Sequence, residues 1–255
     1  MLKFDDLGVS ETIGYILVFA IVLTGIAGIV FFGVTMLNDA KDRNNFQNVE
    51  QGLTVVQSDM KRVALEKAPI KTSKLRVEGG SLALNNTTSA IRIDYAGHTY
   101  DNFTGDIIFD SNEYLKTISI QNGALWKSEG GPMSDLCIVE PRIFAFPEAR
   151  AIVINVIRFQ CDNTAVASAG TIGLSMEYVG NNVYIYDGPG SDLTITVNTT
   201  YPNAWARFFD ETRQLQFFSK TTSVTSTAAK VTMSHVDEVV ISEHTIKVLP
   251  ITYYG

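Results

Sequence analysis

The pattern of hydrophobic and polar positions begins with one long apolar segment. No charged residue occurs from Thr12 to Asn38, and residues 13–37 are apolar on every side of a helix. About 20 apolar residues cross the hydrocarbon of a bilayer, and a helix without a polar face is surrounded by lipid or by other apolar helices. The segment therefore predicts a membrane-spanning helix over about 12–38. It exceeds the apolar region of a secretory signal peptide, and no A-x-A-like site follows it, so we expect it in the mature protein.

A narrower apolar stripe continues the helical pattern beyond this segment. No proline interrupts the chain before Pro69, which predicts one nearly continuous helix to about Lys67 with an amphipathic stem as its second half. The stem either packs on the domain that follows or forms a coiled-coil stalk, and its shortness favours packing on the domain. The stripe residues recur at spacings of three and four: Phe46, Val49, Leu53, Val56, Met60 and Val63.

From Lys74 onward the apolar positions follow the shorter period of strands. Pro202 begins a short predicted helix at 202–209. Many short strands favour an antiparallel sandwich or meander. We therefore expect an α+β fold, in which a long N-terminal hydrophobic helix, either transmembrane or in a filament core, precedes a mainly antiparallel β-sandwich-like domain at 69–255. Turns between strands are predicted at Gly79-Gly80, Asn122-Gly123, Gly180-Asn181-Asn182 and Tyr186–Asp192.

Composition narrows the functional classes. The 255 residues carry a net charge of −7 and no basic run, which argues against a nucleic-acid partner. The three histidines lie in no metal-binding spacing, and no nucleophile elbow, P-loop or dinucleotide fingerprint occurs. We therefore expect no enzyme activity, no cofactor and no metal site. A membrane-anchored glycosidase with paired carboxylates is the enzymatic alternative.

Two cysteines and four N-x-[ST] sequons favour an exported domain. Cys137 begins one strand-like run and Cys161 ends a later one, and an antiparallel pair turning near Pro147 would bring them together. We therefore predict a disulfide between them, with two buried free thiols as the alternative. The candidate glycosylation sites are Asn85, Asn86, Asn102 and Asn198.

The first residues, MLKFDDLG followed by VSETIGYILVF, resemble archaeal type IV pilin-like surface proteins, which have a class III leader and an S-E-T-[IL]-G motif. The resemblance implies that a prepilin peptidase removes residues 1–8 by cutting after Gly8, so that Val9 becomes the first residue of a long helix over 9–68. In type IV pilins an acidic side chain near this start neutralises the free amine of a neighbouring subunit, which implies this role for Glu11. Alternatively, Ser10 caps the helix and Glu11 stabilises its positive end.

This resemblance implies a structural subunit, major or minor, of an archaeal type IV pilus-like filament, with adhesion among its roles. Its partners would be membrane lipid, the prepilin peptidase, and copies of itself or other pilin-like subunits. Subunits would meet through the N-terminal helix, where Gly14, Gly25 and Gly28 permit close approach. The alternative is a non-polymerising, membrane-anchored binding module of the cell envelope. The expected location is the cell membrane with an extracellular C-terminal domain, or an extracellular filament.

Overall fold

The computed structural model describes residues 6–112, 116–167 and 170–254, without the side chains of residues 6–12 and of Pro132. The chain divides into two compact units, one ending at Asn45 and the other spanning Phe46–Gly255. A single helix, α1 (Asp6–Leu65), supplies the first unit and continues into the second.

Helix α1 ends at a left-handed residue. Lys67 has φ +56°, and the Ala68 amide donates to the Arg62 carbonyl at 3.3 Å. Pro69 follows and cannot continue a helix. The predicted end at about Lys67 is therefore close to the observed one, whereas the helix begins at Asp6, earlier than the apolar segment alone indicated.

The second unit is built mainly of strands, with one further helix, α2 (Pro202–Glu211), at the predicted place. The described strands are β1 (Ile70–Val77), β2 (Gly80–Asn85), β3 (Ala90–Tyr95), β4 (His98–Phe103), β5 (Asp106–Ser111), β6 (Lys116–Gln121), β7 (Ala124–Glu129), β8 (Leu136–Val139), β9 (Ile143–Phe146), β10 (Ala151–Gln160), β11 (Thr164–Ala167), β12 (Gly170–Asn198), β13 (Lys220–Val224), β14 (Ala228–Val248) and β15 (Thr252–Tyr254).

Within the described residues these strands form two sheets. The nine-stranded sheet has the order β4-β3-β12-β14-β10-β9, with β1 and β15 also paired to β12 and β13 paired to β14. The six-stranded sheet has the order β11-β2-β5-β6-β7-β8. All strand pairs of the described residues are antiparallel except that of β10 with β14. The expected α+β class, with a mostly antiparallel sheet domain after a long apolar helix, is confirmed.

Two hydrophobic cores hold the second unit together. One lies under α2, where Trp126 stacks on Trp205 with ring centroids 4.5 Å apart. The other contains the whole stem stripe together with side chains of both sheets, and all six stripe residues are at most 4% exposed. The stem is therefore part of the domain core, as the spacing predicted, and the coiled-coil alternative is wrong.

Three of the predicted turns are wrong and one is confirmed. Asn122 and Gly123 have φ +50° and +67° and connect β6 to β7 as predicted. Gly79-Gly80 joins no hairpin, because β1 pairs with β12 while β2 pairs with β5 in the other sheet. Residues 180–182 and 186–192 lie inside the 29-residue strand β12, whose register shifts there absorb the irregularity. Bulges accommodate such glycines without ending a strand.

Candidate functional site: the N-terminal helix and its stem

The apolar segment of α1 is long and apolar enough to cross a membrane. Its most apolar 18-residue window has a mean hydropathy of 2.7, and none of that window is buried. Its large hydrophobic side chains are between 49% exposed at Leu23 and 75% exposed at Ile29. Exposed apolar area of this extent marks a surface that contacts lipid or other apolar helices.

Two kinds of polar or small residue within this segment suit an apolar environment. The hydroxyls of Thr24 and Thr35 donate to the carbonyls four residues earlier, at 2.7 and 3.1 Å, so neither donor needs water. At Gly14, Gly25 and Gly28 an added Cβ would meet nothing within 4 Å. The three predicted assembly glycines therefore have open space around them.

The stem is fixed to the sheets by polar contacts as well as by its apolar stripe. Gln57, which is 3% exposed, donates from Nε2 to the Gly123 carbonyl at 2.6 Å. Ser73 on β1 donates to Asp59 Oδ2 at 2.8 Å. A buried amide that has its partner stabilises one arrangement, and losing the partner leaves an unsatisfied group. These two hydrogen bonds thus fix the position of the stem along the two sheets.

Lys127 on β7 makes a charged contact with the stem. Its Nζ lies 2.6 Å from Glu50 Oε2 and 2.5 Å from Glu129 Oε1, and it stands 5.3 Å from the Phe46 ring centroid. Burial lowers the pKa of Lys127, but the hydrogen bonds to Glu129 and Glu50 outweigh burial, so its pKa is raised. The ammonium therefore stays charged and joins α1 to the six-stranded sheet.

At Gly52 the stem packs closely on the nine-stranded sheet. A Cβ at this position would lie 2.4 Å from Leu75 Cδ1, well inside van der Waals contact. Leu75 on β1 is 1% exposed. Glycine has a low helix propensity, but the absence of a side chain at position 52 allows α1 to contact β1.

A buried ionic cluster joins β4, β10 and β14, and no sequence pattern indicated it. Glu243 is 3% exposed and accepts hydrogen bonds from Tyr100 Oη at 2.7 Å, Asn102 Nδ2 at 3.3 Å and Arg158 Nη1 at 2.7 Å. Arg158 also donates from Nε to the Phe103 carbonyl at 3.0 Å. Burial, followed by the hydrogen bond to Glu243, raises the pKa of Tyr100. The cluster links β4 to β10 and β14 of the same sheet.

The predicted disulfide is wrong, because both cysteines are free thiols. The expected antiparallel pair exists only as Ile143–Phe146 against residues 151–154. Cys137 lies before it on β8, in the six-stranded sheet opposite Trp126, whereas Cys161 follows β10 of the nine-stranded sheet. The chain changes sheets near Pro141, so the two cysteines pack against different cores.

The four sequon asparagines lie in different environments. Asn198 is exposed at the end of β12. The Asn86 amide donates to the Cys161 carbonyl at 3.1 Å, and Asn102 contributes its amide to the Glu243 cluster. Asn85 accepts a hydrogen bond from the Thr87 amide at 2.9 Å through its side-chain oxygen.

The predicted processing residues Gly8 and Val9 and the predicted assembly residue Glu11 lie on α1 by their backbone, and their side chains fall outside the described part. Among the residues that the structure describes, no group of three His, Cys, Asp or Glu side chains could hold a metal ion.

Comparison with known proteins assigns a family to this architecture. The sequence model of DUF7289, a family of unknown function, matches residues 8–249. The chain belongs to this family. No curated protein matches this DUF7289 chain. The solved structure of the YwiB protein from Bacillus subtilis is 7% identical, covering 68% of this chain and 98% of its own, with a TM-score of 0.12. That score is too low for an argument about fold or function.

Proposed function

We propose that this DUF7289 protein is a non-enzymatic structural subunit of a type IV pilus-like surface filament, made in the membrane and displayed outside the cell. The observation that carries the proposal is the exposed apolar segment of α1, joined without a break to a stem that is part of the domain core. An apolar helix of this kind needs lipid before assembly and neighbouring helices after it. The sequence resemblance to archaeal pilin-like proteins supports the same role.

In such an assembly the apolar segments of many copies pack together and leave lipid. The glycines of the segment permit close approach between helix backbones, as small residues do in membranes. After cleavage behind Gly8, the new amine of Val9 would need a carboxylate, because an unpaired charge among apolar helices is costly. Glu11 of a neighbouring copy would supply that carboxylate.

Substitution within the segment tests this role. We expect Gly25→Leu with Gly28→Leu to abolish sedimentable filaments at the cell surface while the protein still reaches the membrane, because leucine keeps helices apart. The matched control, Val22→Leu with Val30→Leu, adds one carbon at each of two positions and should keep the filaments. Filaments with unchanged abundance in the double glycine variant would overturn the proposed packing.

A membrane-anchored binding module that does not polymerise is the second candidate. It is supported by the same exposed segment, since one membrane-crossing helix also serves as a simple anchor. A detergent-extracted protein that remains monomeric, and a cell surface without filaments containing this chain, would favour the module over the filament subunit.

A further inference from the structure

Three separate chain segments of the second unit meet around an open cleft of about 270 Å³. The turn between β9 and β10 supplies Pro147 and Arg150. A short 3₁₀ helix, Arg213–Phe217, supplies Phe217 at its end, and β14 supplies His235. The cleft is smaller than the pockets that hold drug-sized ligands, so it suits a smaller molecule. The remaining side chains of the lining are Phe218, Ser219 and Ser234.

Two residues beside the cleft have a backbone conformation that favours glycine. Arg150 has φ +47° and His235 has φ +62°. The Arg150 guanidinium donates to the His235 carbonyl from Nε and Nη2, at 2.8 and 2.7 Å, and the Asp237 amide donates to the Arg150 carbonyl at 2.8 Å. Left-handed residues other than glycine persist where their surroundings fix them, which is common at ligand sites. The backbone around the cleft is therefore ordered before a ligand binds.

An exposed phenyl ring forms the apolar part of the cleft. Phe217 is 67% exposed, whereas its neighbour Phe218 is 8% exposed and packs in the core under α2. A single exposed apolar side chain is ordinary by itself. This one lines a concave surface together with polar groups, which is the usual composition of a small-ligand site.

Three polar side chains of the lining have unused hydrogen-bonding capacity. The Ser219 and Ser234 hydroxyls and the His235 ring make no hydrogen bond to another residue that the structure describes. Arg150, in contrast, is engaged, because its Nε lies 3.5 Å from Asp237 Oδ2 and also donates to the His235 carbonyl. A hydroxyl both donates and accepts, and an imidazole nitrogen does one or the other. The cleft therefore offers hydrogen bonds to a neutral ligand rather than an unpaired charge to an ionic one.

We propose that this cleft binds one neutral pyranose ring of a glycan. A pyranose has a face of C–H groups, which would stack on the Phe217 ring, and a rim of hydroxyls, which would exchange hydrogen bonds with the polar groups of the lining. The net charge of −7, with Asp237 beside the cleft, disfavours an anionic ligand. The inference goes beyond the filament proposal and does not rest on it, because it concerns the second unit and would hold equally for an anchored monomer.

Saturation-transfer NMR of the full chain tests the proposal, in a detergent that has no sugar headgroup. The chain is made without glycans, so that no sugar of its own occupies the cleft. The probes are glucose, galactose, mannose and N-acetylglucosamine, each added alone. We expect saturation transfer to the ring C–H protons of at least one of these sugars. Transfer to none of the four would overturn the proposal.

Substitution of Phe217 tests whether the sugar binds at this cleft, with affinity measured by titration of the NMR signal. Phe217→Ala should weaken binding about tenfold, whereas Phe217→Trp should retain it, because both aromatic rings offer a face for stacking. The matched control is Phe103→Ala, at a 51% exposed position on β4, which should bind like the unsubstituted chain. Equal affinities of Phe217→Ala and Phe103→Ala would refute binding at the cleft.

Substitution of His235 separates binding from folding. Glycine adopts a φ of +62° without strain, so His235→Gly should raise the Tm of the domain. The same change removes the imidazole and should weaken sugar binding about fivefold, as the loss of one hydrogen bond does. Weaker binding by a chain of higher Tm is not an effect of unfolding. If His235→Gly binds the sugar as tightly as the unsubstituted chain, the proposed site is wrong.

Discussion

Replacing Leu53 by alanine tests whether the stem is part of the domain core. Leu53 is 0% exposed and lies in the core that joins α1 to both sheets. The change removes three carbons, worth about 0.8 kcal/mol each when buried, and the remaining cavity adds a further penalty. We therefore expect the free energy of unfolding to fall by about 3 kcal/mol.

The assay is urea unfolding of the full chain in detergent, followed by tryptophan fluorescence. Both tryptophans, Trp126 and Trp205, lie in the second unit, so the signal reports on the β domain rather than on the apolar segment. The matched control is Val55→Ala on the same helix, where the side chain is 54% exposed and the expected change is within about 0.5 kcal/mol. If Leu53→Ala unfolds at the same urea concentration as Val55→Ala, the stem contributes nothing to the core and the reasoning is wrong.

Three further predictions concern single groups of the β domain. Burial raises the pKa of Asp106, so the buried charge destabilises the folded chain, fully above the folded-state pKa and not at all below the unfolded-state pKa. Asp106→Asn should therefore raise the Tm at pH 7 but not at pH 3, and an equal Tm shift at both pH values would contradict this. If the domain is glycosylated, peptide mass spectrometry should find glycan on the exposed Asn198 and none on Asn102, whose amide is engaged; glycan on Asn102 alone would contradict it. Burial raises the pKa of Cys137 to about 12 and that of Cys161 to about 11, so few of these thiols are ionised at pH 7.5. Maleimide should therefore label both cysteines slowly in the folded chain and rapidly in urea, and rapid labelling of the folded chain would contradict this prediction.

Local periodicity was enough to predict the helical part of the fold. The stem stripe from Phe46 to Val63 faces the core because its spacing matches one side of a helix, and no distant residue is needed to infer this. The Asn122-Gly123 turn was predictable for a similar reason, since both residues adopt positive φ at low cost.

The pairing of strands could not be predicted from the same local signals. Gly79-Gly80 has the composition of a hairpin turn, yet Gly80 serves to pack closely on β5, where an added Cβ would lie near the Asp110 carbonyl and the Phe109 ring. The disulfide prediction failed because it assumed that Cys137 and Cys161 border one hairpin, whereas the chain changes sheets between them. The Glu243 cluster joins residues up to 143 positions apart, and sequence spacing carries no trace of it.

The proposed role requires this chain to be processed and assembled as a pilin-like subunit through its apolar helix. Intact mass and N-terminal sequencing of the protein taken from cell surfaces test it most directly. We expect a chain that starts at Val9, retains the whole apolar segment and carries two free thiols. A surface protein that still starts at Met1 would contradict processing as a pilin, and one that starts beyond Leu37 would contradict anchoring and assembly through the helix.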